Sequence, residues 1–457
     1  METKKSTFIN DLTEGSVIRK LLLFALPFMF SQLLQTVYNL VDMAVVGHYM
    51  GSTGLSAVST GGRLVELLTL LCAGFCSGGQ ILLSQQVGAK KYEDMQKTIG
   101  TLFTFILLLG LGLGTASILL HRVLLSLLNT PAEAFDEAAR YMVICNSGCI
   151  FIFGYNALCA ILRGMGDSKR PLYFIAIASV VNLVLDIILV AGFRMGAAGA
   201  AIATVFSQAI SFITALVYLI IKREQFGFTF SKETLKLHGG TMKKLIRLGS
   251  PLALQMGAIS ISMLFVNSFI NSYGAAASAV YGAGLKLQNI PSIITHSMST
   301  ANSSMVGQNM AAGRPDRVKK SVGTCFRINI SVYGVFIVAC LLFPRQIFTI
   351  FTTDTAVLDL APMYLQMTVI GFAASAFNAS FNSVINGIGN TTLSMIIGLL
   401  DSVVARISFS LLFGVVLDWG LKGFFLGNSL AIWVTALPSC LYFLSGKWQT
   451  YKLAVHK

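Results

Sequence analysis

This chain of 457 residues carries the same passage twice. The segment around Pro27, IRKLLLFALPFMFSQ (18–32), returns around Pro251 in LIRLGSPLALQMGAI (245–259), with Pro27 over Pro251 at an offset of 224. LSAVSTGG (55–62) returns as ASAVYGAG (277–284), and SQQVGAKK (84–91) as GQNMAAGR (307–314). AILRGMGD (160–167) returns as SVINGIGN (383–390), and FRMGAAGAAIAT (193–204) as LDWGLKGFFLGN (417–428). The offset stays between 222 and 224 residues throughout, a drift too small for chance similarity. The chain is therefore built as two equivalent halves, which any fold assigned to it must accommodate.

Each half is a series of apolar segments. With 55% hydrophobic residues, 11% charged residues and a mean hydropathy of +0.74, the chain has too little polar surface for a water-soluble fold of this size. About twelve segments approach the roughly 20 residues needed to cross about 30 Å of hydrocarbon. They are expected at 18–46, 54–85, 97–120, 138–163, 171–192, 197–221, 246–272, 279–311, 322–343, 361–387, 393–416 and 421–445. The alternating pattern of outer-membrane barrels is absent. The expected fold is an all-α membrane protein of 12 transmembrane helices in two pseudo-symmetric six-helix bundles. Its first lobe covers 1–221, a cytoplasmic linker 222–245 and the second lobe 246–457. Six spans per half start both halves on the same side, so the repeats are parallel and a substrate cavity is expected between them.

The net charge of +14 is a signal of orientation, with no nucleic-acid partner implied. With a cytoplasmic N-terminus, 25 Lys and Arg fall on the inner side, among them Lys4, Lys5, Arg163, Arg314 and Lys457. Five fall outside (Arg122, Arg140, Arg194, Arg345, Lys422), and Arg63, Lys286 and Arg406 lie within spans. That asymmetry follows the positive-inside rule and places both termini in the cytoplasm. The first span is too long for a signal peptide's apolar core and lacks a small-residue cleavage site, so it is expected to remain. The eight cysteines, including the pairs Cys72/Cys76 and Cys145/Cys149, read as small packing residues of membrane helices; no transition-metal site is expected.

Charge inside hydrocarbon is the functional clue. In the first span Ser31, Gln35, Tyr38, Asn39 and Asp42 recur three or four apart and form one polar stripe. In the fifth, Asn182 and Asp186 are four apart, with Ser179 on the same face. Counted from the span boundaries, Asp42, Asp186 and Thr204 share a similar depth in the outer half of the membrane. A carboxylate costs several kcal/mol in hydrocarbon, so it is expected to face protein or water and to serve a purpose. Two such acids titrate as a coupled pair and suit a proton or, with Asn182 and Thr204 adding oxygens, a sodium ion. In the second half Asp42 falls against Val266 at an offset of 224, and Asn182 falls against Ala405 and Asp186 against Phe409 at 223. The acids belong to the first half alone. Pro27, about four turns before Asp42, removes a backbone donor and is the expected hinge.

Other intramembrane polar residues carry less weight. Arg63 and Glu66, three apart, are expected to neutralise each other. Asp401 and Arg406 are five apart, which misaligns them on an α-helix, and no pairing is assigned. Lys286 stands apart. Gln35, Asn39, Asn156, His296, Asn378 and Asn382 are the candidate cavity residues. HExxH, GxSxG and a Walker lysine are absent. GMGD (164–167) has the GxGD form of intramembrane aspartyl proteases, but it enters a basic loop, and its counterpart GIGN indicates a turn.

Taken in order, the Pro-and-Asp first span ending VDMAVVGHYMG, the GQNMAAGRPDR exit of span eight, the LRGMGDSKRP loop and NLVLD in span five resemble the multidrug and toxic compound extrusion (MATE) family, its DinF-like branch in particular. The resemblance spans essentially the whole chain. It implies two six-helix lobes forming a V around a central cavity, and cation-coupled efflux of organic, often cationic or aromatic, compounds. It also implies that Asp42, Asp186, Asn182, Thr204 and Tyr38 handle the coupling ion, H+ or Na+. No other cofactor is expected. A monomer in the plasma (inner) membrane of a bacterium is expected. The rival is a lipid-linked glycan flippase of a related superfamily, for which Lys286, Arg63 and Arg406 would supply a cationic cavity. A receptor or channel would need a soluble domain, a filter loop or an oligomerisation signal.

Overall fold

Helices carry nearly all of the chain, because backbone in hydrocarbon must satisfy its own hydrogen bonds. The computed structural model describes residues 9–128, 130–226, 228 and 230–456, without the side chains at 51–53, 55 and 226. Lys4, Lys5 and Lys457, three of the basic residues expected on the inner side, lie outside the described residues.

In chain order the long helices are α1 (Val17–Met50), α2 (Ser56–Gly88), α3 (Tyr92–Leu119), α4 (Ala132–Ser147 and Cys149–Gly164), α5 (Lys169–Gly192) and α6 (Gly196–Ile221) in the first half. The second half has α7 (Gly239–Asn271), α8 (Ala275–Ala311), α9 (Pro315–Leu342), α10 (Thr355–Gly387), α11 (Thr391–Val416) and α12 (Gly420–Leu444). Ten of these are long and apolar enough to span a membrane among the described residues, and α4 makes an eleventh as a bent pair. The expected twelve therefore needs one qualification. The eighth, α8, is 37 residues long, but with its many Ser, Thr, Asn and Gln residues it is not among those ten.

Helical hydrogen bonding runs unbroken from Val17 to Gly88, yet α1 and α2 are not one rod. Arg163 places its guanidinium 5.0 Å from the Phe28 ring centre and donates from Nε to Gln80 Oε1 at 3.1 Å. On a straight helix Phe28 and Gln80 would be about 80 Å apart. The chain must reverse between them. In α4 the bend is 48° at Gly148, where a side chain would collide with Val205 of α6.

Contacts divide the chain into two units. Among the described residues, the first holds those up to Asp11 together with Leu26–Ala253, and the second holds Leu12–Ala25 and those from Leu254 onward. In the first unit, Val46 of α1, Val58 and Leu64 of α2, Ala138 and Met142 of α4 and Val190 of α5 form a shared core. The segment after α6 docks on α3. Thr104 donates to the Leu235 carbonyl at 2.8 Å, and Phe230 meets Phe103 edge-on at 5.5 Å. Gly100 makes this possible, since a Cβ there would lie 1.8 Å from the Thr234 carbonyl oxygen.

The second unit has an aromatic core of Tyr281, Tyr333, Tyr364, Phe372, Phe424 and Phe425. The GQNMAAGRPDR motif fastens the chain's own N-terminal segment within this unit. Gln308 accepts from the Leu12 amide at 2.9 Å, Arg314 donates to the Thr13 carbonyl at 2.7 Å, and Arg317 to that of Gly15 at 2.9 Å. The GMGD string is a helix start. Asp167 accepts from the amides of Lys169 and Arg170 and pairs with the Arg170 guanidinium, while Gly166 and its counterpart Gly389 take positive φ (+86° and +80°). Asp167 is thus committed to capping α5.

Candidate functional site

Three helices of the first unit supply the site. The polar stripe of α1 brings in Tyr38 and Asp42; α5 brings in Asn182 and Asp186 one turn apart; α6 contributes Thr204 and, one turn on, Gln208. Asp42 is 8% exposed, Asn182 2% and Asp186 0%. The two carboxylates are near enough for Asp42 to act electrostatically on Asp186, and Asp42 acts likewise on Tyr38 and Tyr141. The Gln208 side chain lies beside Tyr38.

The acids are buried and open. Both carboxylate oxygens of Asp186, Oδ1 of Asp42 and both amide atoms of Asn182 lack a hydrogen-bond partner. Native proteins rarely leave buried polar atoms unmatched, and a bare carboxylate removed from water costs several kcal/mol. Two carboxylates with an amide oxygen beside them form an acceptor-rich set, which a proton or a hard cation such as sodium completes. Thr204 is half-buried and does not hydrogen-bond Asp186, whose oxygens are both open. Directly after Asp186 the helix widens into a π turn (Ile187–Gly192) that ends α5.

The other candidates fall elsewhere. Gln35 and Asn156 line a cavity of about 50 Å³ with Phe28, Ser31, Tyr155 and Arg163. It has room for a few waters, against roughly 300–1,000 Å³ for a drug-sized pocket. Asn39 is exposed on α1. His296 is exposed on α8, and Asn378 and Asn382 lie on α10, all three in the second unit. Asn382 accepts from Ser394 at 3.1 Å, whereas Oδ1 of Asn378 is buried without a partner. At Pro27, the Ser31 hydroxyl bonds back to the Pro27 carbonyl at 2.9 Å, a pattern that favours bending.

Two expectations from spacing are corrected. Arg63 and Glu66 are both exposed on α2, and no ion pair joins them among the described residues. Facing outward, each is solvated or lipid-adjacent and gains little from the other. Asp401 and Arg406, left unassigned by the spacing of five, do form a buried ion pair at 3.2 Å. A π turn (Leu400–Ala405) separates them, and its wider winding puts residues five apart on one face. Of the three cations a flippase cavity would use, Arg406 is thus already paired, and Lys286 and Arg63 are exposed. Gln208 and Tyr141 escaped notice in the sequence. The signal for Gln208 was its position one turn after Thr204.

Comparison with known proteins agrees with this arrangement of repeats. The MatE family profile matches residues 27–188 and 251–412, one copy in each half. The "Probable multidrug resistance protein YpnP" of Bacillus subtilis is 30% identical over 447 residues, 98% of this chain and 99% of its own length. The "Probable multidrug resistance protein NorM" of Thermotoga maritima is 25% identical over 454 residues, 97% of this chain and 96% of its own. A solved structure described as the outward-facing conformation of a multidrug resistance MATE family transporter of the MOP superfamily has a TM-score of 0.90. It is 22% identical and covers 99% of this chain and 100% of that one, a likeness of fold.

Proposed function

Because the chain belongs to the MatE family and is a multi-pass membrane protein, we propose that it is a cation-coupled multidrug antiporter. It exports organic, often cationic or aromatic compounds by alternating access. The names of its relatives as probable multidrug resistance proteins support the substrate class. The observation that carries the coupling is the pair of buried carboxylates with open oxygens, Asp42 and Asp186.

Two monovalent cations entering from the outer side, protons or sodium ions, one for each carboxylate, neutralise the pair. With that charge removed, α1 is free to rearrange about Pro27, the drug is displaced, and the inward-open state is favoured. Tyr38 borders Asp42. The driving force is about 1.4 kcal/mol per pH unit plus about 2.3 kcal/mol per charge per 100 mV. Two charges thus support a concentration ratio of several powers of ten without ATP. In this reading the protein works as a monomer in a bacterial plasma membrane, with both termini cytoplasmic.

The test is drug movement in proteoliposomes under separately imposed sodium and pH gradients. Asp42→Asn with Asp186→Asn is expected to reduce gradient-driven movement at least about tenfold. Unchanged movement in that variant would refute the coupling role, and whichever gradient drives the wild type identifies the ion.

A further inference from the structure

The repeat can be followed residue by residue through α5 and α11, and it changes register once. The buried positions Pro171, Phe174, Ile175 and Ala178 correspond to the buried Ser394, Ile397, Gly398 and Asp401 at an offset of 223. Beyond this point the buried Asn182, Asp186 and Val190 correspond to the buried Arg406, Ser410 and Gly414 at an offset of 224. The change falls on the π turn Leu400–Ala405, whose first-half counterpart is ordinary α-helix. A π turn holds one residue more than an α turn, so it absorbs the extra residue. The pairings Asn182 with Ala405 and Asp186 with Phe409, read at constant offset, are therefore revised.

In the revised register Arg406 takes the place of Asn182, Ser410 that of Asp186, and Asn428 that of Thr204. The guanidinium lies among oxygens. Nη2 donates to Asp401 Oδ1 at 3.2 Å and Nη1 to Asn428 Oδ1 at 2.9 Å, while Thr435 donates to the other Asp401 oxygen at 2.9 Å. Ser262, the counterpart of Tyr38, hydrogen-bonds the Ser402 carbonyl of the π turn. Tyr281 of α8 also lies within electrostatic range of Arg406. Asp401 and Arg406 are each 6% exposed. The fit is incomplete, since Nε of Arg406 and the hydroxyls of Ser410 and Tyr281 have no partner.

We propose that the second half contains a latent cation site, built from Asp401, Asn428 and Thr435, which the Arg406 guanidinium occupies as a tethered, non-exchangeable cation. The donor types match the first half: a carboxylate, an amide oxygen and a threonine. Arginine stays charged at every physiological pH, so this site neither loads nor releases an ion. The consequence is that only the first half exchanges cations, and removing the guanidinium exposes a second exchangeable site. This rests on the reading of Asp42 and Asp186 as the working cation site.

The experiment follows thermal unfolding of the purified full-length protein in detergent, in sodium chloride against choline chloride and across pH. In the wild type a cation-dependent rise in midpoint is expected, and Asp42→Asn with Asp186→Asn abolishes it. Adding Arg406→Gln to that double variant is expected to restore a cation-dependent rise of several degrees, and adding Asp401→Asn to remove it again. A folded Arg406→Gln variant with no cation response overturns the proposal. If Arg406→Gln does not fold, Arg406→Lys and the pair Arg406→Gln/Asp401→Asn decide. Both are expected to fold, because one keeps a positive occupant and the other removes the need for it; failure of both overturns the proposal. A wild type without cation response, alongside a responsive Arg406→Gln variant, would instead count against the first-half site.

Discussion

At one station of the repeat, α5 buries Asn182 and Asp186 while α11 buries Arg406 and Ser410. The first half holds two carboxylates with open oxygens; the second holds one carboxylate already joined to a guanidinium. The two frames are alike enough for a single family profile to match both. In the reading proposed above, they differ in whether the cation is borrowed or built in. Symmetry in such a chain sets the shape, and the departures from it locate the chemistry.

The largest expected effect follows directly from that contrast. Asp186→Asn alone is expected to lower gradient-driven drug movement in proteoliposomes at least about tenfold, as one carboxylate cannot replace the coupled pair. Next comes stability in the second half. Arg406→Leu leaves Asp401 buried and uncompensated, and is expected to cost about 3–5 kcal/mol, read as a lower unfolding midpoint. Arg406→Leu with Asp401→Leu should recover most of the loss.

In the first half the same kind of change has the opposite sign. Asp186→Asn removes a buried charge that lacks a partner when no cation is bound. At alkaline pH without sodium it is expected to stabilise the protein by about 1–3 kcal/mol. Loss of stability under those conditions would show that Asp186 has a partner in solution. The smallest effect concerns a feature without a role in ion exchange. Asp167→Ala loses the cap of α5 and is expected to cost about 1 kcal/mol, with drug movement per folded molecule unchanged.

Much of this was legible in the sequence. Hydropathy marks the spans because the membrane imposes a fixed length on apolar helices, and the halves are visible as recurring strings. Asp42 and Asp186 could be singled out because a carboxylate in a span is expensive. What was not legible has a common cause. A π turn leaves no composition signature, so the register shift at Leu400–Ala405 and the pairing of Asp401 with Arg406 were both hidden by counting in α-helical turns. Arg63 and Glu66 show the reverse error, since helical spacing brings two residues near each other without making them face inward. Gln208 and Tyr141 look like ordinary helix residues until the fold sets them around Tyr38 and Asp42.

The most direct measurement is drug movement in proteoliposomes under an imposed sodium or pH gradient. It compares Asp42→Asn/Asp186→Asn with the charge-balanced second-half variant Asp401→Asn/Arg406→Gln. The first is expected to lose its response to either gradient and the second to retain it. The contrary pattern, with response kept by the first and lost by the second, would place ion exchange in the wrong half and contradict the account.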